Sequence, residues 1–114
     1  MRDDLGDKQR LQHIFESLKI IEGFVANKSF NDYDTDLMLR MACERLLEII
    51  GEASNHITDE FKEVNPIVEW RKIVGLRNIL VHEYFAVSNK LLWSIITENL
   101  PELRLQIEEV LKRE

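Results

Sequence analysis

The sequence predicts an all-α protein, an antiparallel up-and-down bundle of four to five helices. Three observations carry that prediction. Apolar residues recur at spacings of three and four through most of the chain, which is the period of one helix face. The 114 residues include only two prolines and four glycines, and β-branched runs are scarce, which speaks against an all-β architecture. The periodic segments are separated by short polar joints, so consecutive helices fold back on one another. The length allows one core, and residues 1–114 read as a single domain.

The first helix runs roughly from Leu5 to Val25, with Leu11, Ile14, Phe15, Leu18, Ile21 and Val25 on one face. It ends in the polar stretch Asn27-Lys28-Ser29-Phe30-Asn31-Asp32. The second begins at Asp34 or Thr35, either a good N-cap, and continues to about His56. Its apolar arc is wide, from Leu39, Ala42 and Cys43 through Leu46, Ile49, Ile50, Ala53 and Ile57. Arg40, Glu44, Arg45, Glu48 and Glu52 fall on the other side and read as a solvated, salt-bridged face. A short turn is expected from Thr58 to Asn65. Pro66 suits the first turn of a third helix, where its missing N–H costs nothing, and that helix runs to Val81 or Tyr84. Ser88 or Asn89 can cap a fourth, carrying Leu91, Leu92, Ile95 and Ile96, which Pro101 then breaks or kinks. Leu103, Ile107, Val110 and Leu111 continue as an amphipathic fifth segment. Met38, Met41 and Trp93 are expected as core fillers.

Composition removes several classes of function. Lys and Arg number 15 against 21 Asp and Glu, a net charge of −6. A chain this acidic does not bind nucleic acid by bulk electrostatics, so any such chemistry needs a local site. No run of about 18 apolar residues offers a membrane span. The opening MRDDLGDKQR lacks the apolar core of a signal peptide. Cys43 is the one cysteine, too few for an internal disulfide or a metal cluster, and a cytoplasmic location is expected. His13 and His56 lie apart from any set with metal-ligand spacing, so no metal site is expected.

The third helix carries the chemistry. On a helical wheel at about 100° per residue, Trp70, Ile73, Leu80, Val81 and Tyr84 fall within about 60° of Arg77. An arginine is therefore centred on an apolar face, where arginine belongs only if it is paired or faces a cavity. A polar stripe of Arg71, Gly75, Asn78 and His82 runs about 100–160° away. A mid-helix glycine costs roughly 1 kcal/mol against alanine, and Gly75 is expected to let a partner helix or ligand come close. Arg77 and His82 stand about 140° apart on an ideal helix, a reason to expect a second subunit to complete any site they share. Three cations between residues 69 and 85 (Arg71, Lys72, Arg77) meet two carboxylates, Glu69 and Glu83.

Residues 77–85, RNILVHEYF, have the form Arg-x4-His-x-Tyr. With them, the chain resembles the HEPN superfamily, and within it the HepT-like toxins paired with minimal nucleotidyltransferase antitoxins. The resemblance extends over about residues 8–111. It takes in EIIGEA at 48–53, the approach from Pro66 to Trp70, VGLRN before the histidine, and ENLPEL at 98–103. It implies a HEPN-like bundle and a homodimeric toxin whose partners are RNA and a cognate nucleotidyltransferase, with neither membrane nor cofactor. The activity it implies is metal-independent RNA cleavage.

The residue types suit that chemistry. RNA carries its own nucleophile, the 2′-OH. Cleavage then needs a base, an acid for the 5′-oxygen, and positive charge at the phosphorane. His82 is the one side chain of the motif that titrates near neutral pH. Arg77 is a permanently charged fork matched to phosphate. Asn78 could orient the imidazole or touch the phosphate. Tyr84, by resemblance, is the residue that the nucleotidyltransferase adenylylates to silence the nuclease. Ordinary readings stand beside these. Arg77 also fits a core-edge arginine paired with a carboxylate such as Glu52, His82 a helix-end histidine, Asn78 a cap, and Tyr84 a core tyrosine. The alternative function is a catalytically silent helical module that binds a nucleotidyltransferase and nucleotide.

Overall fold

A computed structural model of the chain describes residues 2–83 and 87–114, with side chains from Gly6 onward. Among the described residues the structure is all-α. Its elements are α1 (Arg2–Val25), α2 (Phe30–Thr35), α3 (Leu37–Asn55), α4 (Asp59–Val64), α5 (Trp70–His82), α6 (Asn89–Ser94), a π-helical segment (Ile95–Asn99) and α7 (Leu100–Lys112).

The core forms where α1 lies against both α3 and α7. Leu11, Ile14, Leu18 and Ile21 of α1 are fully buried there, with Cys43, Leu47 and Ile50 of α3 and Ile107 and Val110 of α7. Each such side chain contributes about 1.5–3 kcal/mol on leaving water. At the edge, Arg104 of α7 donates to Glu22 of α1 at 2.7 Å and to Glu108 at 3.3 Å. These pairs are part-exposed and orient α1 and α7 more than they stabilise them. At the other end, the Asp7 carboxylate accepts from the Thr58 backbone N–H at 2.9 Å and from its hydroxyl at 2.6 Å, tying α1 to the start of α4.

The five expected helices are present, and two short ones join them. The polar stretch after α1 turns at Asn27, whose φ of 62° is the left-handed value that asparagine tolerates at a helix end. It then forms α2, opened by a capping box between Ser29 and Asp32. Both Ser29 groups hold the Asp32 carboxyl below its ordinary value, its backbone N–H foremost. The Thr58–Asn65 turn is helix α4, capped by the Thr58 hydroxyl, with Asp59 and Glu60 in its first turn. α3 starts from Asp36, not Asp34 or Thr35, and the Asp36 carboxylate accepts from the Leu39 N–H at 3.1 Å. Pro66 lies in the turn before α5, which begins at Trp70. Pro101 is not what ends the fourth helix, whose α-helical turns stop at Ser94 and pass into the π segment. It sits in the first turn of α7, directly after the π segment, where the Leu100 N–H reaches back to the Ile95 carbonyl.

One expectation about packing is overturned. Met38 and Met41 are 82% and 60% exposed, so they are surface residues and not core fillers. Gly75 has no atom outside its own helix within 4 Å of where a β-carbon would stand. The close approach within the chain is at Gly51. Trp93 does pack partly inward, 5.3 Å from the ring of the buried Tyr33.

Candidate active site

α5 is set by its first residue. Trp70 is buried, donates its indole N–H to the Asn65 carbonyl at 3.1 Å, and meets Phe61 edge to face at 6.5 Å. From that anchor α5 packs chiefly on α3. Of its 13 residues only Trp70 and Leu80 are buried. Midway along, Arg77 crosses Gly51 of α3. A β-carbon at Gly51 would overlap the Arg77 Cβ, lie 2.8 Å from its Cγ, and crowd the Ile73 carbonyl at 3.2 Å. The glycine therefore supplies the space that the arginine stem fills.

The guanidinium is held at two points. Its Nη2 pairs with Glu52 Oε1 at 2.7 Å, and its Nη1 donates to Asn78 Oδ1 at 2.8 Å. The other Glu52 oxygen accepts from His56 Nε2 at 3.1 Å, and the His56 carbonyl accepts from Arg10 of α1 at 2.6 Å. The His56 hydrogen bond, and then the charge of Arg77, hold the Glu52 carboxyl below its ordinary value, so it stays ionised at neutral pH. The Arg77 side chain is 24% exposed. Its place on the apolar face is thus satisfied by Glu52, as the core-edge reading of the sequence allows, while part of the side chain remains open to solvent.

The other candidates are more loosely placed. His82 is exposed at the last residue of α5, where Glu83 closes the helix by donating to the Ile79 carbonyl at 2.7 Å. Asn78 is exposed and its oxygen faces Arg77 rather than the imidazole. Tyr84 lies outside the described residues. The expected salt-bridged face of α3 is present in part, with Arg45 on Glu48 at 3.2 Å. Glu44 is half-buried, and burial, then the Glu48 charge, push its carboxyl above the ordinary value. Sequence reasoning weighed His56 only as a metal ligand and gave Gly51 no role of its own. Their signal was a glycine beside a carboxylate, four residues before a histidine, on the helix facing the arginine.

A separate cleft of about 240 Å³ opens between α3, α5 and α7, lined by Leu47, Ile50, Ile73, Leu76 and Leu103. The Glu69–Lys72 ion pair stands at its rim, and neither Arg77 nor His82 reaches it. Among the described residues no group of three His, Cys, Asp or Glu side chains is gathered as a metal site, and no helix is long and apolar enough to cross a membrane.

The fold makes this a small all-α bundle protein, with a carboxylate-held arginine and a surface histidine on one helix. Residues 14–110 match the family described as Ribonuclease HepT-like, and the chain belongs to that family of ribonucleases. It is 42% identical over 103 residues to “Putative RNase MJ1380” of Methanocaldococcus jannaschii, covering 90% of this chain and 94% of that one. It is 39% identical over 104 residues to “Putative RNase TTE0752” of Caldanaerobacter subterraneus subsp. tengcongensis, covering 91% and 93%. It is 37% identical over 105 residues to “Probable ribonuclease HepT” of Thermococcus cleftensis, covering 92% and 96%. No solved structure matches it at a comparable level.

Proposed function

We propose that this ribonuclease is the toxin of a prokaryotic toxin–antitoxin pair, acting in the cytoplasm as a homodimer on RNA. The observation that carries the reading is the arginine of α5, seated in the α3–α5 seam with its side chain partly exposed, five residues before a surface histidine. Arg77 and His82 are the catalytic residues, and Asn78 supports Arg77. His82 of one protomer takes the proton from the 2′-OH as that oxygen attacks phosphorus. The P–O5′ bond breaks, and the leaving 5′-oxygen takes a proton from the partner subunit's His82. Arg77 offsets the charge that grows on the phosphorane oxygens. A single imidazole cannot be base and acid in one step, which is why the reading needs two chains.

A surface suited to the second copy lies beside this site. Leu37 and Met41, exposed at the start of α3, line a shallow depression together with Leu80 and Val81 of α5. Met38, the most exposed of the apolar residues there, stands next to them in the chain. Arg40, Glu44 and Glu48 line the depression too, so exposed apolar side chains lie among charges there, a mixed surface that suits a protein partner. Tyr84, two residues after His82, is the acceptor for AMP from a cognate nucleotidyltransferase. The added phosphodiester carries negative charge and bulk, which oppose the binding of an RNA phosphate.

Cleavage of a labelled RNA by the purified chain tests the reading. Arg77→Ala and His82→Ala are each expected to lose activity by about a hundredfold or more, with cleavage by the wild type unchanged in EDTA. Incubation with the partner nucleotidyltransferase and ATP should abolish cleavage by the wild type and spare Tyr84→Phe. Full activity in both the arginine and histidine variants, or a strict requirement for added divalent metal, would refute this site.

A further inference from the structure

We propose that Glu52 is a positioning residue of the RNA-cleavage site, holding the Arg77 guanidinium in one orientation through a carboxylate that α3 fixes from behind. The inference rests on reading Arg77 as a catalytic residue. It adds a second helix to a site whose motif lies wholly on α5.

The geometry supports it in three steps. First, the stem of Arg77 has one place to go. It lies over Gly51, where even a methyl group would collide with its Cβ. Second, its head is tied at both terminal nitrogens, to Glu52 at 2.7 Å and to Asn78 at 2.8 Å. A guanidinium carries five N–H donors. Two are used by these contacts, and the remaining N–H groups are left for an anion. Third, Glu52 is itself restrained. Its second oxygen accepts from His56 at 3.1 Å, and the His56 carbonyl is held by Arg10 at 2.6 Å. The chain Arg10–His56–Glu52–Arg77–Asn78 therefore runs from α1 across α3 to α5.

Stability alone does not account for this arrangement. Glu52 and His56 have side chains about half exposed, at 47% and 54%. Ion pairs that wet contribute little to folding. An arginine with several free χ angles is a poor phosphate ligand until its fork is fixed, because ordering it then is charged against the transition state. Glu52 does that ordering in advance. Its neighbour Gly51 gives the room and Glu52 the anchor, so two adjacent residues of α3 set one side chain of α5.

The test uses the full chain and a labelled single-stranded oligoribonucleotide, with Glu52→Gln, Glu52→Asp and Arg77→Ala compared with wild type. Glu52→Gln keeps the shape of the side chain and removes the charge and the paired acceptor. It is expected to lower kcat by about tenfold to a hundredfold while KM changes less than about threefold and the unfolding midpoint stays close to wild type. Glu52→Asp should recover part of that loss. Independently of activity, the Arg77 Nε–H resonance, assigned by its absence in Arg77→Ala, should be sharp and slow to exchange in wild type and broadened in Glu52→Gln. An equally sharp Arg77 signal in Glu52→Gln overturns the proposal. So does wild-type kcat and KM in Glu52→Gln when Arg77→Ala is inactive, an outcome that leaves Arg77 catalytic. Full activity of Arg77→Ala would instead remove the reading on which the proposal rests, and the resonance would still report whether Glu52 orders the arginine.

Discussion

α1 and α5 both pack on α3, and they do it by different means. α1 contributes four fully buried aliphatic side chains, Leu11, Ile14, Leu18 and Ile21, and packs on α7 as well. α5 buries only Trp70 and Leu80, and its central crossing is an arginine stem on a glycine. The contact of α3 with α1 is thus a hydrophobic seam that stabilises the fold, while its contact with α5 includes a close approach that holds a charged side chain. Cohesion and charge are drawn from different neighbours of one helix.

The contrast can be broken most directly at the core. Ile14→Ala, at a fully buried position, should cost about 2–5 kcal/mol in chemical denaturation. Ile79→Ala on α5, at a position 42% exposed, should cost less than about 1 kcal/mol. Equal losses would mean that α5 is as firmly integrated as α1.

A finer test puts one substitution at two glycines. Neither Gly51 nor Gly75 has positive φ, so alanine meets no backbone strain at either. Gly51→Ala should destabilise by about 1–3 kcal/mol, because the new methyl overlaps Arg77 and forces α3 and α5 apart. Gly75→Ala should stabilise the protomer by about 0.5–1 kcal/mol, since the methyl enters open space and helix propensity improves. Thermal unfolding separates the two by sign. A destabilising Gly75→Ala whose effect grows with protein concentration would place that glycine in a contact between copies.

The smallest effect is electrostatic. The Glu44 carboxyl is raised in the folded chain, by burial first and by Glu48 second. The folded state then binds its proton more tightly than the unfolded state does. This contribution favours folding below the ordinary value of 4.5 and is lost as pH rises through the higher folded value. Glu44→Gln should therefore raise Tm slightly at pH 7, with the gain vanishing toward pH 4. A gain that does not depend on pH would assign the effect to packing.

The long helices were legible because their apolar period is sustained over many residues. α2 and α4 were not, at six residues each, too short for a period to show. Their caps at Ser29 and Thr58 were the available signal. Met38 and Met41 were misplaced because an apolar side chain on a wide arc does not reveal which part of the arc a neighbour covers. At the site, the anomaly of Arg77 on an apolar face was visible, and so was Glu52 as a partner. The role of Gly51 was not, because it depends on the distance between two helices, which no single-helix wheel contains. Gly75 drew attention by lying in the same helix as the motif, while the glycine that meets the arginine lies 26 residues earlier in the chain.

The π segment before α7 has a consequence for how this chain tolerates change in length. A π turn spans with one additional residue what an α-helix would span without it. Loss of a single residue between Ile95 and Asn99 would let the rod close into regular helix, leaving Leu92 toward α2 and Ile107 toward α1. It would also move Pro101 from a first turn into a helix interior, where proline costs about 3 kcal/mol. The surplus residue and the proline are therefore matched. A lineage that sheds one without the other loses stability, and one that exchanges both together passes from one helix geometry to another with its fold intact.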